Sequence, residues 1–310
     1  MADSLRVVVI GAGRMGSTHL DAIDASRSVD AVAVVDPVAT VRDQLHARGL
    51  ATHASIEDAL DAGGFDAALV AAPSDLHLGL IRTLMAARIP TLCEKPCGLA
   101  STETSGAIDL AAVAGVVLQI GYWRRFVPAL RQLRDRIGSG RLGELALVQA
   151  WQWDGEPPSA AFRRRSGGIV RDMGVHEFDQ IRWLSGQDLT VAGLVESSVI
   201  SEPPVENDPE SAAIVGTLSG GGVALISLGR RYAPGDSCWV EVIGTRDTVR
   251  SEFMSGAEAD RIFHTALVDQ IDAFAGAIHG SPSDGATAAD AVAALRAAEQ
   301  ARTLPSQPGS

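Results

Sequence analysis

Leu5-Arg6-Val7-Val8-Val9-Ile10-Gly11-Ala12-Gly13-Arg14-Met15-Gly16 is the stretch that decides the fold. Leu5–Ile10 is an apolar, β-branched run that suits a strand buried on both faces of a parallel sheet. The glycines that follow have separate tasks. Gly11 allows a tight turn, Gly13 lets the backbone approach a pyrophosphate, and Gly16 lets a helix pack closely on the strand. A helix opening at Arg14 and Met15 offers uncapped N–H groups and the positive end of its dipole to phosphates. A second run, Ala31–Val35, ends in Asp36, 20 residues after Gly16. That is where an acidic side chain bonds the adenosine ribose of a dinucleotide.

Outward from this unit the pattern repeats. Apolar runs recur at Ala67–Ala71, Thr91–Cys93 and Val116–Ile120, with helix-like stretches at about 38–48, 75–87 and 101–113. Strand alternating with helix predicts a doubly wound parallel sheet, so residues 1–121 are expected to form an α/β Rossmann domain that binds NAD. A carboxylate at Asp36 repels the 2′-phosphate of NADP, and Pro37-Val38-Ala39 offers no arginine to hold one, so NAD is favoured; Arg42 is the nearest cation. After Tyr122 the rhythm changes. An amphipathic helix over 126–137, a strand at 145–153, and a helix over Gly168–Ser185 opened by a glycine pair come first. Strands at 189–200, 211–218, 222–229 and 238–244 follow, joined by turns such as SEPPVENDP and LSGGGV; two helices at 264–279 and 287–301 and a loose tail, LPSQPGS, close the chain. Such short connections predict a C-terminal α+β domain over 122–310 with a mostly antiparallel open sheet, the final helices packing back on the first domain.

Bulk properties narrow the function. A chain of 310 residues is long enough for two domains with their own cores. A net charge of -12 argues against nucleic-acid binding as the main task. There is neither an apolar run of membrane-spanning length nor a leader pattern at the N-terminus, so a soluble, cytoplasmic protein is expected. Three cysteines, Cys93, Cys97 and Cys238, do not make a disulfide framework, and no metal site is expected among them.

One residue stands out by composition. Lys95 is the only lysine among 26 basic side chains. An ammonium can take part in proton chemistry where a guanidinium stays charged. Ligands bind at the carboxyl ends of parallel strands, so the loops Ala71-Ala72-Pro73-Ser74-Asp75-Leu76-His77 and Cys93-Glu94-Lys95-Pro96 should face the cofactor. Pro73, Ser74, His77, Glu94 and Lys95 thereby join Gly11, Gly13, Arg14, Met15 and Asp36 as candidate cofactor residues. In the second half, Asp172 and His176 are four apart and share one face of a helix, while Glu177 and Asp179 point elsewhere. A histidine there can take the proton of a substrate hydroxyl, with a carboxylate to orient it. At such spacing a plain surface pair is the commoner outcome, and no third ligand stands by to make a metal site.

Several segments together resemble the family that includes glucose–fructose oxidoreductase, inositol 2-dehydrogenase and the rhizopine catabolism protein MocA. They are GAGRMGSTH, APSDLH, CEKP, GYWRRFVPALRQLRDRIGSGRLGE, GGIVRDMGVHEFDQIRWLSG and FHTALVDQIDAFAGAIHGSP, and they span nearly the whole chain. The resemblance implies an NAD-dependent dehydrogenase that oxidises a secondary hydroxyl of an inositol or sugar. It implies that Lys95 lies by the nicotinamide and the substrate hydroxyl, that Asp172 and His176 are the acid–base pair, and that Arg124 or Arg125 touches substrate. It also implies a homodimer or homotetramer built on the open sheet face. Trp153, with Trp151, offers an aromatic face for a sugar ring or a core or subunit contact. The run Arg163-Arg164-Arg165 reads as a solvated loop, or as a site for an acidic substrate. Two alternatives share the fold: an NAD-dependent glycosidase or epimerising enzyme, and a non-catalytic NAD-binding sensor. The particular polyol, the reacting hydroxyl and the direction of the reaction are not written in the sequence.

Overall fold

The computed structural model describes residues 4–199, 205 and 208–304. Most of the expected SEPPVENDP turn, and the expected loose tail after Leu304, lie outside the described residues. The chain runs β1 (Leu5–Ile10), α1 (Arg14–Ala25), β2 (Val29–Val35), α2 (Ala39–His46), β3 (Ala51–His53), α3 (Ile56–Ala62), β4 (Ala67–Val70), α4 (His77–Ala86), β5 (Thr91–Cys93), α5 (Ser101–Ala114) and β6 (Leu118–Ile120). It continues as α6 (Pro128–Gly138), β7 (Leu145–Trp153), α7 (Ala160–Arg163), α8 (Ile169–Asp172), α9 (Gly174–Ser185), β8 (Leu189–Ser197), β9 (Ser211–Leu218), β10 (Val223–Gly229), β11 (Ser237–Gly244) and β12 (Thr248–Met254). It ends with α10 (Ala259–Ile278), β13 (Ala286–Thr287) and α11 (Ala288–Thr303).

These elements form two compact units. One is the described part of Met1–Trp123 with His264–Val292; the other is the described part of Arg124–Phe263 with that of Ala293–Ser310. The segment 264–292 thus belongs to the first unit, where Asp272 accepts from the Ser26 hydroxyl at 2.6 Å and the Gln270 carbonyl accepts from the Gln119 amide.

The first unit holds a sheet in the order β13-β6-β5-β4-β1-β2-β3. Six strands are parallel, and β13 lies antiparallel on β6 at one edge. Val8 and Val9 in β1 and Ala67, Ala68 and Val70 in β4 are fully buried, as central strands covered on both faces must be. Three elements of this unit went unread in the sequence: β3, α3 and β13. β3 is only three residues long, and α3 is a short helix opened by Ser55, whose hydroxyl accepts from the Asp58 N–H at 3.1 Å. Ser55-Ile56-Glu57-Asp58 carries the capping pattern that would have signalled α3.

The second unit holds a sheet in the order β12-β11-β7-β10-β9-β8. All neighbours are antiparallel except β7 and β10, which run parallel. Its inner face, with Val148, Ala150, Ile226, Leu228, Ile214 and Val240, is buried, and α9 packs against it. The outer face alternates with it and stays open: Val195, Val215 and Val223 are exposed at 68%, 43% and 41%. The helix expected over Gly168–Ser185 is two helices. The chain breaks at Met173, so Asp172 ends α8 and His176 sits in the first turn of α9.

Candidate active site

In the first unit the nucleotide turn has the geometry its glycines imply. Gly11 has φ +88°, and a Cβ there would lie 2.8 Å from the Ala72 backbone. A Cβ on Gly16 would lie 1.9 Å from the Gly11 carbonyl oxygen. Gly13 is different: it caps α1 without a side chain, and a Cβ there would meet nothing within 4 Å. Its outer side is open, and the N–H groups of the first turn, including those of Arg14 and Met15, have no side-chain cap. Asp36, buried just past β2, closes the turn, accepting from the Ala12 N–H at 2.9 Å and the Val38 N–H at 2.9 Å. Arg42 donates to the Asp36 carbonyl oxygen at 2.7 Å. The turn, the open cap and the carboxylate together fit a dinucleotide.

The loops after β4 and β5 are tied together by histidines. The His77 ring, fully buried at the start of α4, lies 2.8 Å from the carbonyl oxygens of both Ala72 and Pro96. His19, buried on α1, donates through Nε2 to Glu94 Oε1 at 2.7 Å, because an ionised carboxylate can only accept. Burial works to raise the Glu94 carboxyl, but the His19 ring and the neighbouring Lys95 hold it below its ordinary range. Glu94 Oε2 also accepts from the Lys95 backbone N–H at 3.1 Å. Lys95 therefore sits between two fastened neighbours, in a loop whose Lys95–Pro96 peptide is cis. Pro73 and Ser74 lead into the short turn before α4. Burial pushes the Cys97 thiol up to about 12 and raises that of Cys93 too, so neither supplies a thiolate. Among the described residues no group of three His, Cys, Asp or Glu side chains is arranged to hold a metal.

In the second unit Asp172 and His176 lie on either side of the Met173 break, and the His176 backbone N–H bonds the Met173 carbonyl. Arg230, 1% exposed, donates to Asp172 Oδ2 at 2.7 Å. Asp154, one residue past β7, belongs to the same charged group, and no motif announced it. Burial pushes its carboxyl up to about 6; Arg230 pulls it down, Asp236 and Asp172 push it further up, and a hydrogen bond from Gln152 pulls it down.

A stability prediction follows from Asp154. Its folded pKa exceeds the ordinary carboxylate value, so the native state binds the proton more tightly than the unfolded chain. Ionisation therefore costs stability as pH rises from the ordinary carboxylate range through 6. Asp154→Asn should raise the unfolding free energy at pH 8 by about 3 kcal/mol at most, and this gain should vanish near pH 4. Urea unfolding at both values tests it; an equal offset at the two would contradict the assignment.

The other expected site residues make the following contacts. Arg124 donates to Glu177 at 2.5 Å, Gln180 at 3.2 Å and Gln152 at 2.8 Å, and its guanidinium lies 5.3 Å from the Phe253 ring centre. Arg125 grips Asp179 with two donors at 3.0 and 2.5 Å. Both are buried, and these carboxylates on α9 hold them by charge-assisted bonds. Trp153 stacks on Trp151 at 5.2 Å, and Trp151 stacks on Trp239 at 5.5 Å, along the outer face of the sheet. The Trp153 indole N–H donates to the Ser227 hydroxyl at 2.9 Å. Its ring thus packs against protein on that face. The arginine run is not a solvated loop throughout: Arg163 is buried, bonded to Asp208 and ion-paired with Glu210, whereas Arg164 and Arg165 are exposed.

A nucleotide cradle at the carboxyl end of a parallel sheet, with a second unit carrying an aspartate and a histidine, defines an NAD-binding oxidoreductase architecture. The family described as "Oxidoreductase family, NAD-binding Rossmann fold" matches residues 5–122, and the "GFO/IDH/MocA C-terminal domain" matches residues 130–250. The chain belongs to the GFO/IDH/MocA family of oxidoreductases. It is 44% identical to the rhizopine catabolism protein MocA of Rhizobium meliloti over 299 residues, covering 96% of this chain and 94% of that protein. It is 31% identical to the myo-inositol dehydrogenase Hyg17 of Streptomyces leeuwenhoekii, covering 98% and 99%. In fold it is similar to the crystal structure of a myo-inositol dehydrogenase from Corynebacterium glutamicum ATCC 13032, with a TM-score of 0.87 at 23% identity, covering 97% and 96% of the two chains. No described helix is long and apolar enough to cross a membrane.

Proposed function

We propose that this oxidoreductase oxidises one secondary hydroxyl of an inositol or a related sugar, with NAD as cofactor and Lys95, Asp172 and His176 handling the hydroxyl proton. The observation that carries the reading is the cradle of the first unit, in which Gly13 leaves the helix terminus open and the Asp36 carboxylate lies against the turn. The polyol class rests on the likeness to myo-inositol dehydrogenase over nearly the whole chain. NAD, held by the Gly11–Gly16 turn and Asp36, supplies the hydride acceptor. His176 accepts the hydroxyl proton, since an imidazole changes charge near neutral pH. The Lys95 ammonium stabilises the negative charge that develops on that oxygen, and Asp172, pinned through Oδ2 by Arg230, fixes the geometry of the pair. The test is absorbance of NADH with purified protein, NAD and a panel of inositols and sugars. Net NADH with one polyol supports a dehydrogenase. Product released without net NADH would replace this reading with an NAD-dependent glycosidase, and NAD binding with neither would replace it with a sensor.

Asp36 sets the cofactor preference in this reading, because its carboxylate faces the ribose and opposes a 2′-phosphate. Asp36→Ser should shift the NAD-to-NADP ratio of kcat/KM by about 10- to 100-fold toward NADP, the effect of one charge-assisted hydrogen bond. An unchanged ratio would remove Asp36 from the discrimination.

The open face of the second sheet is proposed as the subunit contact of a homodimer or homotetramer. Exposed Val195, Val215 and Val223 form an apolar surface together with the stacked tryptophans. Val215→Glu should lower the mass measured by light scattering during size-exclusion chromatography. A wild-type monomer, or an assembled variant, would rule this face out.

A further inference from the structure

Behind Asp172 the second unit carries a chain of buried charges, of which the reaction outlined above uses only Asp172 and its bond from Arg230. It starts at Asp172, whose carboxylate is 12% exposed, and runs inward. Arg230 bonds Asp172 Oδ2 at 2.7 Å through one arm of its fork and Asp208 Oδ1 at 3.0 Å through the other. The second Asp208 oxygen accepts from Arg163 Nε at 2.5 Å, and the Asp208 carbonyl accepts from Arg163 Nη2 at 2.8 Å. That same Nη2 lies 2.6 Å from Glu210. Arg230, Asp208, Arg163 and Glu210 are all buried. The backbone joins the arrangement as well, because the Arg230 N–H donates to the Glu210 carbonyl at 2.8 Å, one step past the ladder of β9 and β10. Negative and positive groups alternate from the candidate site to the interior: Asp172, Arg230, Asp208, Arg163, Glu210.

We propose that Arg230, braced from behind by Asp208 and Arg163, is the positioning residue that sets the orientation of Asp172. The inference rests on the reading of Asp172 as part of the reacting site. The physical reason lies in the guanidinium. It is planar, and its two arms hold two carboxylates at a fixed mutual angle, which a lysine ammonium cannot do with a single nitrogen. Asp208 has no freedom of its own, being gripped by Arg163, so the fork cannot swing. Asp172 ends the short α8, one residue before the Met173 break, where backbone hydrogen bonding alone holds it less firmly than in a helix interior. A buried brace supplies the stiffness that this position lacks.

The test is a double-mutant cycle on kcat with the polyol that gives the fastest NADH formation, using Arg230→Lys, Asp172→Asn and the pair. Arg230→Lys keeps the charge and loses the fork. It should lower kcat by about 30- to 100-fold, the effect of displacing a reacting group by about 1 Å, with NAD affinity by fluorescence titration unchanged within about twofold. Because Arg230 acts through Asp172, the pair should be no slower than Asp172→Asn alone. Losses that multiply in the pair, or a wild-type kcat in Arg230→Lys, would overturn the proposal. If Arg230→Lys does not fold, Arg163→Lys, one link further back, takes its place in the cycle under the same criteria. A wild-type kcat in Asp172→Asn, or a polyol panel without turnover, would instead sink the reading of the site on which the proposal stands.

Discussion

Lys95→Ala is expected to lower kcat/KM for the polyol by about 10³-fold, within the range of a lost acid–base or charge-stabilising group. In the reading proposed above Lys95 acts on the substrate hydroxyl while the turn backbone and Asp36 hold the dinucleotide, so NAD affinity should change by no more than about twofold. The size of the loss follows from how the loop is built. Its neighbours on both sides are fastened, Glu94 by His19 and Pro96 by His77, so the backbone that carries Lys95 needs no further ordering. Lys95→Arg separates charge from proton chemistry. It retains the positive charge but neither the compact donor nor a tunable pKa, so it should still lose about 10²-fold. NADH formation at saturating NAD, alongside fluorescence titration of the cofactor, measures both quantities. A Lys95→Ala enzyme retaining more than a tenth of the wild-type rate would remove the lysine from the chemistry.

Gly16→Ala should have the second large effect, this time on folding and cofactor binding together. A Cβ 1.9 Å from the Gly11 carbonyl oxygen cannot be accommodated by a side-chain movement, because the obstacle is backbone. α1 must lift away from β1, at a cost of about 1–3 kcal/mol or more for overpacking. The lifted helix no longer aims its N-terminal N–H groups where phosphates sit, and NAD affinity should fall by more than about 10²-fold. Gly13→Ala is the control. Nothing lies within 4 Å of its Cβ position, so the melting temperature should hold while NAD affinity falls by about 10-fold or more, the methyl group standing in the cofactor's approach. If Gly13→Ala bound NAD normally, the open side of the turn would not be the nucleotide side.

The first unit was legible because its signals are local and redundant. β1, the glycine turn and Asp36 each constrain the same short segment, and the alternation of strand and helix repeats the message. β3 escaped because three residues carry no periodicity, and β12 because Thr248–Met254 has the polar run Arg250-Ser251-Glu252 at its centre and shows neither an apolar run nor an alternation. The helix break at Met173 was not read, since its one mark in the sequence is Gly174, and a single glycine is tolerated inside a helix. Lys95, Asp172 and His176 could be picked out by rarity, spacing and resemblance. Asp154, Arg230 and Asp208 could not. Each is a single polar residue near a strand end, and what makes it notable is burial beside an opposite charge from a distant part of the chain. The same limit explains Arg163. Three adjacent arginines look alike in sequence, and only packing shows that the first turns inward to Asp208 while the next two face solvent.

The discontinuity of the first unit dictates an order of assembly. β6 pairs on one side with β5 and on the other with β13, whose residues are Ala286 and Thr287. A ribosome that has released residues through Trp123 has delivered the nucleotide turn and the loop bearing Lys95, but not the strand that closes the sheet or the helix segment that bonds Ser26 and Gln119. The span Arg124–Phe263, by contrast, is contiguous and contains all the strands of its own sheet. During synthesis the sheet that begins first is therefore the sheet that closes last, after every strand of the other has been made, and a fragment cut at Trp123 would leave β6 as a bare, adhesive border.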